Sequence, residues 1–174
     1  STVHCIVITR WTMHEPTNWV GCIGRAHAEF FCDSHYLKPG WTMNPHNTQL
    51  LYQRYPRLYA QPLPYGFECA DGWFDLIDRL SADIEAECQR LVKEEGWQWA
   101  DLPIAEQVKQ KFGGLRFYLS DKSNATIRDL CESAEALAAN TCENCGAAGE
   151  RRTKANSRQV YTSCDRCLDQ PLHR

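Results

Sequence analysis

The chain has 174 residues, of which 43% are hydrophobic and 24% are charged, a composition typical of a folded globular protein rather than a disordered one. No stretch approaches eighteen uninterrupted apolar residues, which excludes a membrane-spanning helix. The net charge is only −3, so the basic surplus of a general nucleic-acid binder is missing. The first residues lack the basic start and apolar stretch of a signal peptide, and we therefore expect a cytoplasmic protein with no membrane partner.

The first fifty residues are rich in His, Cys and Trp, and we predict that they form a segment of their own. β-branched residues from Val3 to Thr9 indicate a strand within it. Turn-forming Pro, Gly and Asn residues then accumulate, and they predict irregular, extended chain from Asn44 to Pro64. Beyond residues 1–50 we predict an α+β core over residues 51–140 and a zinc-ribbon module over residues 141–174.

A long amphipathic helix is predicted after Asp71, which is placed to cap it, and Gly96 is placed to end it. Its apolar residues recur at steps of three and four; they are Trp73, Leu76, Ile77, Leu80, Ile84, Cys88 and Leu91. The opposite face is acidic, and residues 66–106 hold 3 basic and 11 acidic residues, a net charge of −8. The candidate partner contacts on this face are Asp75, Asp78 and Asp83.

The next segment allows two interpretations, a short helix opened by Pro103 or a strand from Glu106 to Phe112. The Gly113-Gly114 pair then predicts a bend or bulge. The following strand carries its apolar residues on one face; they are Leu115, Phe117 and Leu119. A second helix is predicted from about Ser123 or Asn124 to Asn140, whose asparagine suits a left-handed end.

Together these elements predict a small α+β domain with two main helices and a few strands, followed by a C-terminal four-cysteine zinc ribbon. Two C-x-x-C pairs carry the metal prediction; they are Cys142 with Cys145 and Cys164 with Cys167. The spacing between the pairs is typical of zinc ribbons. Four thiolates close the tetrahedral shell, whereas a catalytic zinc keeps one position open, so we predict one structural Zn²⁺. Two disulfides or four free thiols are the alternatives.

The chain between the two pairs is predicted to form a hairpin that turns at residues 155–157. Few apolar residues lie there, so metal binding is expected to supply folding energy. The hairpin carries four basic residues; they are Arg151, Arg152, Lys154 and Arg158. These side chains either contact phosphates of a nucleic acid, as in a zinc-ribbon regulator, or form an ordinary solvated surface.

A second metal site is a further alternative in the first fifty residues. Three of its candidate ligands have the spacing of the last three ligands of a zinc knuckle, but Trp19 stands where the first cysteine is expected. The candidate group consists of Cys22, His27, Cys32 and His35. Buried cysteines and surface histidines that bind no metal are the simpler interpretation.

One enzymatic alternative is a zinc-dependent nucleobase or nucleotide deaminase. His27 and Glu29, together with Cys142 and Cys145, match the H-x-E … C-x-x-C signature of that class. Thr141 stands where a proline is expected, and the second cysteine pair completes a better tetrahedron. We therefore assign no catalytic residue, and we expect a protein that is not an enzyme.

Three sequence blocks, GFECADGW, VKQKFGGLRFY and CENCG, lie in this order within residues 54–167. In this respect the chain resembles a mainly uncharacterised family of small bacteriophage and prophage proteins with the pattern GFEC-x-DGW, VK-x-KFG-x-LRFY and CE-x-CG. The resemblance implies phage origin, action inside a bacterial host cell and a zinc-bound tail. It implies no catalytic residue.

The functional prediction is accordingly a zinc-binding phage-type protein without enzymatic activity. We expect it to bind or inhibit a host or defence-system macromolecule, in the manner of an anti-defence or anti-CRISPR-like protein. The acidic helix face and the missing catalytic constellation favour this interpretation. The deaminase and the nucleic-acid-binding zinc-ribbon regulator are the alternatives.

Overall fold

The structure is a computed structural model that describes residues 42–154 and 158–168, all within one compact unit of the chain. The predicted strand from Val3 to Thr9 lies outside these residues. The helices and strands, in chain order, are α1 (Pro45–Arg54), β1 (Phe67–Glu68), α2 (Phe74–Glu95), β2 (Ala105–Lys111), β3 (Gly114–Leu119), α3 (Ala125–Ala138), β4 (Glu150–Thr153) and β5 (Val160–Ser163). Within the described residues, no helix is both long and apolar enough to cross a membrane.

Two small sheets organise the strands. In the first sheet, the short strand β1 pairs in parallel with β2, and β2 pairs antiparallel with β3. The turn between β2 and β3 consists of Phe112 and Gly113, both with positive φ (52° and 75°), as a two-residue type I′ hairpin turn requires. The second sheet is the antiparallel hairpin of β4 and β5, which confirms the pairing predicted between the two cysteine pairs.

One hydrophobic core joins the two long helices to the first sheet. From α2 it takes fully buried residues such as Ile77 and Ile84, from the sheet Val108 and Leu115, and from α3 Ile127. The apolar periodicity predicted for α2 therefore marks its buried face correctly. A small mixed α+β domain with a C-terminal cysteine cluster is confirmed.

The irregular chain predicted from Asn44 to Pro64 is wrong over its first half, where α1 lies. The Asn44 side chain accepts a hydrogen bond from the Asn47 backbone N–H and caps the helix, and Pro45 occupies its first turn. Both residue types also form turns, which explains the error. Within α1 only Leu51 is buried, so no apolar stripe marks the helix.

The predicted capping of α2 by Asp71 is also wrong. Asp71 lies in a single 3₁₀ turn before the helix, and α2 has no side-chain cap. The Asp71 carboxylate instead accepts hydrogen bonds from the backbone and side chain of Asn44 (2.9 and 2.8 Å) and from the Asn47 side chain (3.1 Å). This carboxylate therefore attaches the start of α1 to the start of α2.

The remaining boundaries are close to those predicted. Residues 105–111 form a strand, which decides between the two interpretations of this segment. Gly96 ends α2 in the left-handed conformation (φ 74°), as predicted. Asn140 does not do so for α3, because Phe112 is the only non-glycine residue with positive φ in the described part of the chain. Helix α1 crosses the predicted division after residue 50, and the three-part organisation stays a prediction.

Candidate metal centre

The first cysteine pair lies on a tight turn directly after α3. Thr141 forms an isolated antiparallel bridge with Ala148, and the Cys142 N–H donates to the Ala147 carbonyl (2.7 Å). The Gly146 N–H donates back to the Cys142 carbonyl (2.9 Å), and Gly146 has a φ of 75°. The turn thus reverses the chain within six residues, so that both sulfurs point to the same side.

The second cysteine pair follows β5. A 3₁₀ turn over Asp165–Cys167 brings Cys167 back towards Cys164, whose carbonyl accepts a hydrogen bond from the Cys167 N–H (3.1 Å). Cys142, Cys164 and Cys167 are buried, whereas Cys145 is exposed. The strand and the turn therefore place the second pair of sulfurs opposite the first.

The four sulfurs have the spacing of a metal site. All four lie within 4.8 Å of one another, and the Cys145 and Cys164 sulfurs are 3.6 Å apart. Tetrahedral zinc with Zn–S bonds of about 2.3 Å requires a sulfur–sulfur distance of about 3.8 Å. The cluster can therefore hold one metal ion. A disulfide needs about 2 Å, and none of the cysteines in the described residues is disulfide-bonded, which contradicts the disulfide alternative.

The charge balance of the cluster also favours a cation. Burial raises the pKa of the Cys167 thiol. Burial also opposes ionisation of Cys164, but hydrogen bonds from Cys145 and Cys167 outweigh it and lower the pKa of Cys164 to about 6. Four thiolates at this distance repel one another, and a divalent cation between them offsets much of that repulsion.

The first cysteine turn rests on the residues that precede α2. The Gly72 N–H donates to the Glu143 carbonyl (2.8 Å), and the Trp73 indole N–H donates to the Thr141 carbonyl (2.9 Å). A Cβ atom at Gly72 would lie 2.4 Å from the Cys142 carbonyl oxygen, so only glycine allows this approach. The sequence blocks GFECADGW and CENCG therefore meet in space as one structural contact.

Glu143 also belongs to this contact, although no motif in the sequence identifies it as a functional residue. Its side chain is fully buried, and one carboxylate oxygen accepts a hydrogen bond from the Ala70 N–H (3.2 Å). The other oxygen has no protein partner among the described residues, and burial raises the pKa of Glu143 to about 7. In sequence, a glutamate between two cysteines is typical of an exposed turn. Its position inside the CE-x-CG block is the sequence feature that could have indicated a buried role.

The β4–β5 hairpin contacts the turn of the β2–β3 hairpin. The buried Thr162 hydroxyl donates to the Gly113 carbonyl (2.6 Å), and the Gln110 side-chain amide donates to the Val160 carbonyl (2.6 Å). A Cβ atom at Gly113 would lie 3.2 Å from the Tyr161 backbone. Both halves of the cysteine cluster are thus attached to the core by hydrogen bonds.

The predicted acidic contacts separate into two groups. Asp78 is occupied within the fold, because its carboxylate pairs with Arg54 (2.8 Å) and accepts a hydrogen bond from the Tyr55 hydroxyl (3.0 Å). Asp75 and Asp83 are exposed and line a groove of about 300 Å³ between α2 and α3. The groove is lined by Gly72, Asp75, Leu76, Arg79, Leu80, Asp83, Leu130, Ser133, Ala134, Leu137, Thr141 and Gly146.

The predicted basic contacts also fall into two groups, one residue that is paired within the fold and three that are exposed. Arg152 pairs with Glu150 in the same strand (2.8 Å) and with Asp165 beyond β5 (2.5 Å), so it has a structural role. Arg151, Lys154 and Arg158 are exposed, and they form no ion pair with any of residues 42–154 or 158–168.

The residues of the predicted second metal site, Cys22, His27, Cys32 and His35, lie outside the described residues, as does Glu29 of the deaminase signature. The cysteines of that signature, Cys142 and Cys145, lie with Cys164 and Cys167. A metal ion held by all four sulfurs has no open position for a reacting water molecule.

Comparison of the chain with protein-family models, with curated proteins and with solved structures found no match.

Proposed function

We propose that Cys142, Cys145, Cys164 and Cys167 bind one structural Zn²⁺. The sulfur–sulfur spacing supports the tetrahedral geometry, and a shell of four thiolates selects zinc or iron over harder cations. The segment around the cysteines contains few apolar residues, so it depends on the bound metal for folding energy. Zinc suits this role better than iron because zinc has no redox chemistry. The role is structural, since no coordination position remains for a substrate.

The identity of the metal can be tested by elemental analysis of the purified full-length protein and by replacement with Co²⁺. We expect about one zinc per chain, and visible absorption typical of tetrahedral thiolate coordination in the cobalt form. Cys145→Ser, at the exposed ligand, should weaken binding by at least about tenfold. One iron per chain, or no metal with four freely alkylated cysteines, would contradict the proposal.

We further propose that the protein is a non-enzymatic binding protein and that the groove between α2 and α3 receives its partner. The observation that carries this proposal is the pair of exposed carboxylates on the groove, Asp75 and Asp83, which form no ion pair with the described residues. The apolar side chains of Leu76, Leu130 and Leu137 line the same groove. Leu137 is 57% exposed, so part of its surface is available for a contact.

The charges of the groove indicate the chemistry of the partner. A protein segment that presents Lys or Arg side chains beside an apolar residue fits two carboxylates and a leucine-lined floor. Arg79 lies between the two aspartates and forms no ion pair with the described residues either, so it can orient an acidic group of the same segment. The resemblance to phage proteins supports a host or defence-system protein in a bacterial cell as the source of this segment.

The groove can be tested with a displayed library of random peptides, selected against the full-length protein. We expect the selected peptides to combine Lys or Arg with Leu, Ile or Phe. Neutralising the groove with Asp75→Asn and Asp83→Asn should weaken their binding about tenfold. Leu137→Ser removes the apolar contact without adding a charge and should do the same, and it should not affect folding because Leu137 is largely exposed.

The matched control neutralises two exposed acids outside the groove, Asp101→Asn and Glu132→Asn. Both protein variants have the same net charge, so general electrostatics affects them equally. The groove is excluded as the binding surface if the control weakens binding as much as the groove variant. Selection of acidic peptides, or of none, would contradict the proposed partner.

A further inference from the structure

The geometry points to a second binding surface on the outer face of the β2–β3 hairpin, which we propose binds single-stranded nucleic acid. This surface is basic and aromatic, in contrast to the acidic groove. The two proposals rest on different residues, so either can fail without the other. We define the hairpin face as Lys109, Lys111, Phe112, Arg116 and Tyr118.

Strand pairing places the basic side chains together. Lys109 lies opposite Arg116 in the antiparallel register, and Tyr118 lies opposite Gln107. Directly opposed residues share one face of a sheet, as do residues two apart in one strand. The alternate residues Val108 and Phe117 are buried in the core, so the basic residues face outward. Residues 107–120 contain no acidic residue, although the whole chain has a net negative charge.

Two aromatic rings are exposed, that of Tyr118 on the sheet face and that of Phe112 at the adjoining turn. Phe112 is 66% exposed and Tyr118 is 41% exposed. The Lys109 ammonium lies 5.2 Å from the Tyr118 ring centre, and the Lys111 ammonium lies 5.7 Å from the Phe112 ring centre. Exposed aromatic rings beside cations form the combination that binds single strands, because bases stack on the rings while the cations contact phosphates.

The position of Phe112 is not explained by folding. It is a bulky residue with a φ of 52° at the tip of a two-residue turn, where Gly, Asn or Asp is preferred. Its ring is mostly exposed, so it gains little from burial. Strained backbone positions cluster at functional sites, so an exposed aromatic residue at such a position favours a role in binding.

The neighbouring hairpin adds another cation at this tip. A Cβ atom at Gly113 would lie 3.3 Å from the Arg151 side chain, and one at Gly114 would lie 3.8 Å from its guanidinium group. Arg151 is exposed and forms no ion pair with the described residues. The contact between the two hairpins thus extends the hairpin face, and it gives the predicted phosphate contact of Arg151 a place within a larger surface.

Two acidic residues lie beside the hairpin face and bond to residues of β2 and β3. Glu68 accepts a hydrogen bond from the Gln107 side chain (2.7 Å), and Arg116 pairs with Glu135 of α3 (2.8 Å). Lys109, Lys111 and Arg151 are therefore the cations of this surface that form no ion pair with the described residues, and the Lys109 ammonium donates to the Gln107 side-chain oxygen (2.8 Å). An acidic peptide would satisfy these charges but would leave the rings without a stacking partner, and duplex DNA buries its bases. Single-stranded nucleic acid satisfies both features.

The test is fluorescence anisotropy of the full-length protein with labelled 20-nucleotide single strands of DNA and RNA. We expect binding that weakens steeply with salt. Lys109→Gln with Lys111→Gln should lower the affinity at least about tenfold and reduce the salt dependence. Phe112→Asn should relieve the turn strain, so we expect it to preserve thermal stability while it lowers the affinity several-fold with the salt dependence unchanged.

The control variant Lys93→Gln with Lys122→Gln removes two exposed charges outside the hairpin face and should keep the affinity within about twofold. Absence of binding overturns the proposal. So does equal affinity for duplex DNA, or tighter binding of a labelled poly-glutamate peptide. Equal effects of the control and hairpin variants would show attraction by overall charge alone, which also overturns it.

Discussion

At Gly72 the backbone of the first cysteine turn occupies the space that any other residue would need for its side chain. Three atoms of the turn would lie within 2.6 Å of a Cβ atom there, namely the carbonyl oxygens of Cys142 and Glu143 and the amide nitrogen of Cys145. All three are backbone atoms, so no side-chain rotation can relieve the overlap. A substitution at Gly72 must therefore move the cysteine turn itself.

We predict that Gly72→Ala lowers the free energy of unfolding by about 3 kcal/mol or more and weakens metal binding about tenfold or more. Urea unfolding and competition with a chelator measure the two effects. Gly96→Ala is the matched control, because a Cβ atom there meets nothing within 4 Å. Its left-handed conformation (φ 74°) should cost about 1 kcal/mol, with unchanged metal affinity. Equal metal affinity in both variants would contradict the role of Gly72.

At the scale of elements, α2 and α3 are joined by one shared asparagine. The Asn124 carbonyl oxygen caps α3 by accepting from the Ile127 N–H (2.8 Å), while its amide donates to the Glu87 carboxylate of α2 (2.8 Å). Glu87 also accepts two hydrogen bonds from Arg90 (2.7 and 2.8 Å). Hydrogen bonds from Arg90 and Asn124 lower the pKa of Glu87 below its usual value of 4.5, although its partial burial opposes this.

We predict that Asn124→Asp destabilises the protein at pH 7, although aspartate is as good a helix cap as asparagine. The new carboxylate would face that of Glu87, and the repulsion with the lost hydrogen bond should cost about 2 kcal/mol. Because the pKa of Glu87 is lowered in the folded state, its contribution is present above pH 4.5 and is lost as the pH falls through the folded-state pKa. The difference from the natural protein in urea unfolding should therefore shrink below about pH 4. A difference that is constant with pH would contradict this prediction.

The contact between the two hairpins depends on another buried group. Thr162→Val keeps the shape of the side chain but leaves the Gly113 carbonyl without its donor. We predict a loss of about 1–3 kcal/mol in free energy of unfolding. Thr153→Val makes the same change at an exposed position of β4 and should alter stability by less than about 0.5 kcal/mol. Similar losses in both variants would indicate that the buried hydrogen bond contributes little.

At the scale of the molecule, the cysteine cluster and the core form a continuous structure. Hydrogen bonds cross from the cysteine segments to Gly72 and Trp73 at the start of α2, and to Gly113 at the hairpin turn. Loss of the metal should therefore affect α2 and the first sheet as well as the residues around the cysteines.

We predict that a chelator lowers the free energy of unfolding by more than about 3 kcal/mol and that the protein still unfolds in a single transition. Circular dichroism reports the helices and tryptophan fluorescence reports the core, and both should shift together. Because the ligands bind as thiolates, the stabilisation by metal should decrease as the pH is lowered. A helical transition that does not respond to the chelator would show that the cysteine segment folds separately.

Much of this organisation could be predicted where it depends on neighbours in sequence. The apolar stripe of α2, the alternation in β3 and the spacing of the cysteines are local patterns, and each identified its element correctly. The errors concern long-range contacts. Asp71 bonds to Asn44 and Asn47 rather than capping its own helix, and Asp78 is occupied by Arg54 and Tyr55. No periodicity in the chain reveals such partners.

The close approach of the first cysteine turn to Gly72 has a consequence for the descent of this protein. Gly72 and Gly146 face each other, since a Cβ atom at Gly146 would lie 3.0 Å from the Gly72 carbonyl. A side chain at Gly72 therefore requires the cysteine turn, including Gly146, to move. In homologous proteins, we expect the glycine before the tryptophan and the cysteine turn to be inherited together. A lineage that lost its metal ligands would be free to accept a side chain at the position of Gly72.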